Sequence, residues 1–276
     1  MMINPVVRKE IRSTVRSWKI FGMISAYVLV MFFISLIFLS SSSRGYGFDP
    51  RNSIYLFTIL SGVQIFFVML IIPTISGAAI SGERERQTLD LLLVTKMSPF
   101  SIVAGKLISS LLVVLLLIAA SMPVYGLLFF YGGLSVLNIF SMILFTVLTA
   151  AMGGSIAIFL STFTKKTIIS TVICYIIFLC STVGNIILFA VISMMIENIL
   201  PMGSPTFLAY IFGMTNPFLS FLSIIETLFG TSIVGEIMYG FYDFPIWIFN
   251  CIINIFIIVV MMLLSTVLIN PSNRRK

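Results

Sequence analysis

Residues 81–106 read SGERERQTLDLLLVTKMSPFSIVAGK and hold seven of the chain's 25 charged residues. Apolar runs long enough to cross a bilayer bound this stretch on both sides. A span needs about 20 mostly apolar residues to cross roughly 30 Å of hydrocarbon. A charged loop pinned between two such runs is placed to meet something soluble, so the search for function starts there.

The whole chain is consistent with this. Of its 276 residues, 59% are hydrophobic and only 9% charged, against about 45–50% and about 25% in soluble domains. So little charge cannot clothe a water-soluble surface, and an integral membrane protein follows. Six apolar runs are long enough to span, at 19–40, 55–79, 107–130, 137–162, 168–195 and 246–269. They predict one all-α transmembrane domain over 1–276, with no separate soluble domain. The first run is too long for a cleaved signal peptide and reads as an uncleaved anchor.

Charge sets the expected orientation. With six spans, 14 of the 16 basic residues fall on one side, and only Arg44 and Arg51 lie opposite. The positive-inside rule then predicts a multi-pass cell-membrane protein with both termini and the 81–106 loop in the cytoplasm. The net charge of +7 belongs to topology and does not point to nucleic acid.

Two further segments punctuate the spans. Residues 4–20 predict an amphipathic interfacial helix, with Asn4–Pro5 as N-cap and first turn, Val7, Ile11 and Trp18 on one side, and Arg8, Arg12, Arg16 and Lys19 on another. Residues 196–245 are apolar but interrupted by Pro201, Pro205, Pro217 and several glycines. Pieces that short predict re-entrant or interfacial helices on the outer side, between spans five and six.

Catalytic chemistry is sparse. The chain has no histidine, which removes Ser-His catalysis and histidine metal sites. Gly105–Lys106 is not a P-loop, since the upstream glycine and following Ser or Thr are missing. Cys174, Cys180 and Cys251 lie in apolar spans and make no disulfide framework. No span carries an ionisable residue at its middle, and Gln64, Asn185, Asn250 and Asn254 are the polar side chains expected inside. Asn250 and Asn254, one turn apart, suit a hydrogen bond at a helix interface. Gly153, Gly154 and Ala157 predict a close-packed helix face. Energy for any transport is therefore expected from outside the chain.

Within 81–106, Glu83 and Glu85 are expected to start a helix, where the dipole favours anions. Leu89, Leu92 and Leu93 recur at helical spacing with Arg86 and Asp90 opposite, and Pro99 is expected to end that helix at Ser98. A leucine ridge between two spans suits contact with a soluble motor, with Arg84, Arg86 and Lys96 orienting it by charge.

At these residues the sequence resembles an ABC-type (type 2) export permease. The resemblance rests on Gly82, Glu83, Arg84, Thr88, Leu89, Leu91, Leu92, Leu93, Ser98, Pro99, Gly105 and Lys106. Asn216–Pro217 is similar to a dipeptide of the family's outer segment. Two departures stand out: Gln87 occupies a place where glycine is common, and a Thr-Pro is stretched to Thr95–Pro99. The resemblance implies an interfacial helix, six spans and an outer re-entrant pair. It also implies a separate ABC ATP-binding subunit carrying ATP and magnesium, with no cofactor on this chain, and a second permease copy or paralogue. Glu83, Arg84, Arg86, Thr88, Leu89, Leu92, Leu93, Ser98 and Pro99 would then dock the ATPase, spans two and five would line the path, and Asn216, Pro217 and Glu226 would belong to an outer gate. The competing reading is a non-transporting scaffold, sensor or immunity module that recruits a soluble partner through the same loop. Cargo is open; 26 phenylalanines and 16 methionines suit an apolar or amphipathic molecule and equally suit lipid-facing walls.

Overall fold

A computed structural model describes residues 17–42, 50–89, 98–130, 134–199, 206–230 and 245–270. Among them the chain is helical, with no strand. Six stretches are long and apolar enough to cross a membrane: Ile20–Ser40, Ser53–Glu85, Pro99–Phe129, Val136–Phe163, Thr167–Ile192 and Ile246–Ile269. This is a multi-pass membrane protein. Residues 4–16 of the expected interfacial helix lie outside the described residues, as do 231–244 of the outer segment.

The helices are α1 (Trp18–Ser42), α2 (Pro50–Ser76), the single turn α3 (Ser81–Glu85), α4 (Pro99–Phe130), α5 (Val136–Phe163), α6 (Thr167–Leu179), α7 (Asn185–Ile199), α8 (Thr206–Thr215), α9 (Pro217–Phe229) and α10 (Ile246–Ile269). A π-helical segment, Cys180–Gly184, joins α6 to α7. The helices form two compact units, residues 1–174 with 257–276 and residues 175–256.

In the first unit α2, α4 and α5 pack on one another, and α1 lies against α2 and α4. The face of α5 explains the closeness. Gly154 is buried, and a Cβ there would stand 2.8 Å from Leu107 Cδ1. The hydroxyls of Thr146, Thr149 and Ser155 donate to carbonyls of their own helix, so they are buried without an orphan donor. Val68, Ile72, Val114, Ile118 and Ala150 fill the space between these helices. One polar bridge crosses it: Tyr125 Oη donates to Gln64 Oε1 at 2.7 Å.

The second unit holds two short helices. α8 has ten residues and α9 thirteen, about 15 and 20 Å at 1.5 Å per residue, too short to cross roughly 30 Å of hydrocarbon. α9 starts at a capped turn. Asn216 Oδ1 accepts from the backbone N–H groups of Phe218 and Leu219 at 2.9 and 3.3 Å, with Pro217 in the first turn. Asn216 Nδ2 donates to Thr182 O at 2.9 Å, a carbonyl of the π-helical segment.

Sequence and structure part at the third span. It begins at Pro99, not near 107: Ser98–Pro99 opens a helix, while 90–97, where the expected preceding helix would end, lie outside the described residues. Ser98 Oγ accepts from Ser101 N at 3.2 Å as a cap, and proline is at ease in a first turn. The same rule that keeps Ser98 out of helical geometry therefore marks a beginning here. Gly105 and Lys106, read from sequence as loop, are consequently inside α4.

Candidate functional site

The segment that follows α2 is folded back on the bundle. At Gly77 a Cβ would lie 2.4 Å from Pro73 O and 3.1 Å from Thr171 Oγ1, so no side chain is tolerated as the chain turns beneath α6. Ser81 then begins α3. Both Ile80 N and Ser81 N donate to Ser161 Oγ in the last turn of α5, at 3.0 and 2.9 Å. Ser161 Oγ donates to Ser81 Oγ at 3.1 Å, and Ser81 Oγ donates to Gly77 O at 3.0 Å. Ser81 and Ser161 are fully buried, so this lattice disposes of donors that would otherwise be orphaned.

The three charges of α3 then diverge to three helices. Glu83 faces α4, where its Oε1 pairs with Lys106 Nζ at 3.3 Å; the side chains are 17% and 6% exposed. Thr88 closes over Glu83, its hydroxyl on the carboxylate and its backbone N–H on Glu83 O at 2.9 Å. Arg84 faces the end of α5. Its two terminal nitrogens donate to Thr162 O and Thr164 O, each at 3.0 Å. These are carbonyls left over at a helix C-terminus, where a cation also meets the negative end of the dipole. Glu85 faces α6 and takes the opposite role: Oε1 accepts from Thr167 N at 2.9 Å and Oε2 from Thr167 Oγ1 at 3.0 Å. Consecutive residues thus cap both ends of the turn at 164–166.

The expected helix from Glu83 to Ser98 is interrupted at its start. α3 ends at Glu85, and Gln87 sits at φ 58°, the left-handed region that non-glycine residues enter at a cost of about 1–2 kcal/mol. This is the position where the resembled family commonly has glycine, and the backbone gives the reason. Beyond the turn, Leu89 is buried at 4% exposure with Ile80, Val103, Leu107, Ile158, Met262 and Ile269. Glu85, Arg86, Gln87 and Ser98 are exposed, and Pro99 is half-buried. Leu92 and Leu93 lie outside the described residues.

Residues 4–270 match the family model described as ABC-2 family transporter protein. The chain belongs to the ABC-2 transporter family. Among curated proteins none matches it. As an ABC-2 permease it is a membrane transport component and not itself a catalyst.

In this ABC-2 chain the structure gathers Glu83 and Thr88 into one network with Lys106, ties Arg84 to the end of α5, turns Leu89 into the core, and leaves Arg86 outward. Asn216 and Pro217 sit together at the start of α9, while Glu226 lies near its far end, partly buried, with its carbonyl accepting from Gly230 N at 2.8 Å. Sequence reasoning missed Glu85 and Ser161 as structural partners. A single lysine two turns into an apolar helix was the signal available for Lys106, since a buried cation in such a place implies a nearby carboxylate.

The asparagines in the second unit form a separate knot. Asn254 Nδ2 donates to Asn250 Oδ1 at 2.9 Å, one turn apart as the spacing predicts, and Asn250 Nδ2 donates to Met214 O at 2.7 Å. Asn185 Nδ2 reaches Thr215 Oγ1 at 2.8 Å. The 214–216 corner between α8 and α9 is therefore tied to α7, the π-helical segment and the start of α10.

Proposed function

We propose that this chain is the membrane subunit of an ATP-driven exporter, moved by a separate ABC ATP-binding subunit that carries ATP and magnesium. The observation that carries the reading is the braced turn at 81–89 in a chain of the ABC-2 family, whose permeases normally pair with such a subunit. Exposed Glu85, Arg86 and Gln87 stand over a buried polar network, so a load on the surface is met by rigid structure beneath. The docking surface runs over residues 83–99. Arg86 and Ser98, with Leu92 and Leu93, make the contact; Glu83, Arg84, Thr88, Leu89 and Pro99 hold the surface in shape.

On this reading the termini and the 81–99 segment are cytoplasmic, the 196–245 segment forms the re-entrant outer gate around Asn216, Pro217 and Glu226, and a second permease copy or paralogue completes the pore. The basic residues flanking the spans support the orientation, and the shortness of α8 and α9 supports re-entry.

Pull-down of the full-length chain from native membranes tests the proposal. A P-loop ATPase should co-purify with the wild type and be depleted by Arg86→Glu, which reverses the exposed charge. Recovery of the wild type with no ATP-hydrolysing partner refutes it.

A further inference from the structure

We propose that Glu85 is the contact through which movement of the docking turn is delivered to α6, the start of the fifth span; the inference rests on the ATPase reading above. Each neighbour of α3 is held differently. α4 is held by a nearly dry ion pair, Lys106 to Glu83, and by Leu89 in an apolar cluster. α5 is held by the Ser81–Ser161 lattice and the doubly bonded Arg84. These ties make α3, α4 and the end of α5 one piece. α6 is different: its first residue is bonded to α3 by a single exposed carboxylate, which accepts both the backbone N–H and the hydroxyl of Thr167.

That difference has a physical consequence. Hydrogen bonds to a charged group are stronger than neutral ones, but water competes at an exposed site and lowers the cost of breaking them. Glu85 therefore grips the positive end of a helix, and it grips it reversibly. The arrangement is directional as well. Arg84 and Glu85 are neighbours in one turn, so any displacement of α3 together with the end of α5 carries the carboxylate against the N-terminus of α6. Glu85 is thus a positioning residue: it touches neither nucleotide nor cargo, and its function is to make α6 follow the docking turn.

The test uses the full-length permease with its co-purifying ATPase, with Cys174, Cys180 and Cys251 replaced by alanine. A spin label is placed at Val172→Cys in α6 or, as control, at Leu115→Cys in α4; both native side chains are exposed. ATP with vanadate, which arrests the motor after closure, should shift the label mobility at both positions. Glu85→Ala should abolish the shift at 172 while sparing the shift at 115. Glu85→Gln, which can still accept the Thr167 N–H, should keep part of it. A shift at 172 that survives Glu85→Ala overturns the inference, as does parallel loss at both positions, which marks a general structural or docking defect. If no ATPase accompanies the unsubstituted chain, the motor reading and this inference fall together, and that result differs from the others.

Discussion

Removing the cation of the Glu83–Lys106 pair tests the core of the site. At 3.3 Å the attraction is about 5 kcal/mol for an effective dielectric constant near 20. Most of that is offset by desolvation in forming the pair, yet removing one partner of a buried pair costs about 3–5 kcal/mol because the other charge is stranded. Glu83 retains the Thr88 hydroxyl and some exposure to water, which places Lys106→Met near the lower bound, about 3 kcal/mol. Glu83→Gln keeps a hydrogen-bond acceptor opposite the lysine and should cost about 2 kcal/mol. The double variant replaces two charges by neutral groups of similar length and should cost no more than about 2 kcal/mol, giving a coupling energy near 3 kcal/mol. The assay is reversible unfolding of the purified chain in mixed micelles, following helicity as the denaturing detergent fraction rises, for all four members of the cycle. Single-variant effects that simply add, within about 0.5 kcal/mol, would show that the two groups do not depend on each other and that the pair is not what anchors α3 to α4.

Gln87→Gly should stabilise the chain by about 0.5 kcal/mol, relief of the left-handed strain less the backbone entropy glycine adds, whereas Gln87→Val should destabilise it; thermal unfolding in micelles distinguishes the two. Gly154→Val places branched atoms where Leu107 already stands 2.8 Å from a bare Cβ, and an overpacking cost of about 1–3 kcal/mol should appear as a lowered unfolding midpoint, with Gly154→Ala milder because the leucine end can swing away. Asn250→Ala strands Asn254 Nδ2 and Met214 O and should cost about 0.6–2 kcal/mol, the range for hydrogen bonds between membrane helices, read as faster amide exchange at 214–216; exchange unchanged there would show that the corner does not depend on Asn250.

The spans were legible because length and hydropathy are local properties: a run such as 137–162 has nowhere to go but the bilayer, and it appears as Val136–Phe163. Asn216–Pro217 was noticed only as a family-like dipeptide and not read as a helix start, although an N-cap and its first-turn proline are neighbours in sequence. The 81–106 stretch was legible as a charged segment between spans, and its internal contacts were not. Glu83, Arg84 and Leu89 were expected to face a partner because a charged loop between apolar runs looks solvated. In the fold those three turn inward, and the reason is not local. Arg84 binds the carbonyls of Thr162 and Thr164, 78 and 80 residues away, backbone atoms with no identity that a sequence pattern can mark; Glu83 turns to Lys106, and Leu89 joins a cluster that reaches Ile158, Met262 and Ile269. Lys106 misled differently: counted as the loop's end, it belongs to a helix that starts at Pro99, because Ser98–Pro99 was not read also as a start.

The pattern of the site also answers why so much charge is concentrated in so short a stretch. A bilayer protein made of parallel apolar helices has few means of fixing one span relative to the next, since side chains gain nothing by leaving lipid for one another. Helix ends are the exception. Each exposes carbonyls or N–H groups that must be satisfied, and each carries a partial charge that a side chain of opposite sign can hold. A turn bearing Glu83, Arg84 and Glu85 in succession exploits all of this at once, joining a lysine of one span, the carbonyl end of the second and the amide end of the third. Hydrophobic residues in those positions would pack but could not register three helices along their axes. The 81–89 turn is therefore best understood as the joint of the permease, and its outward residues, Arg86 above all, are where a partner would have to act to move it.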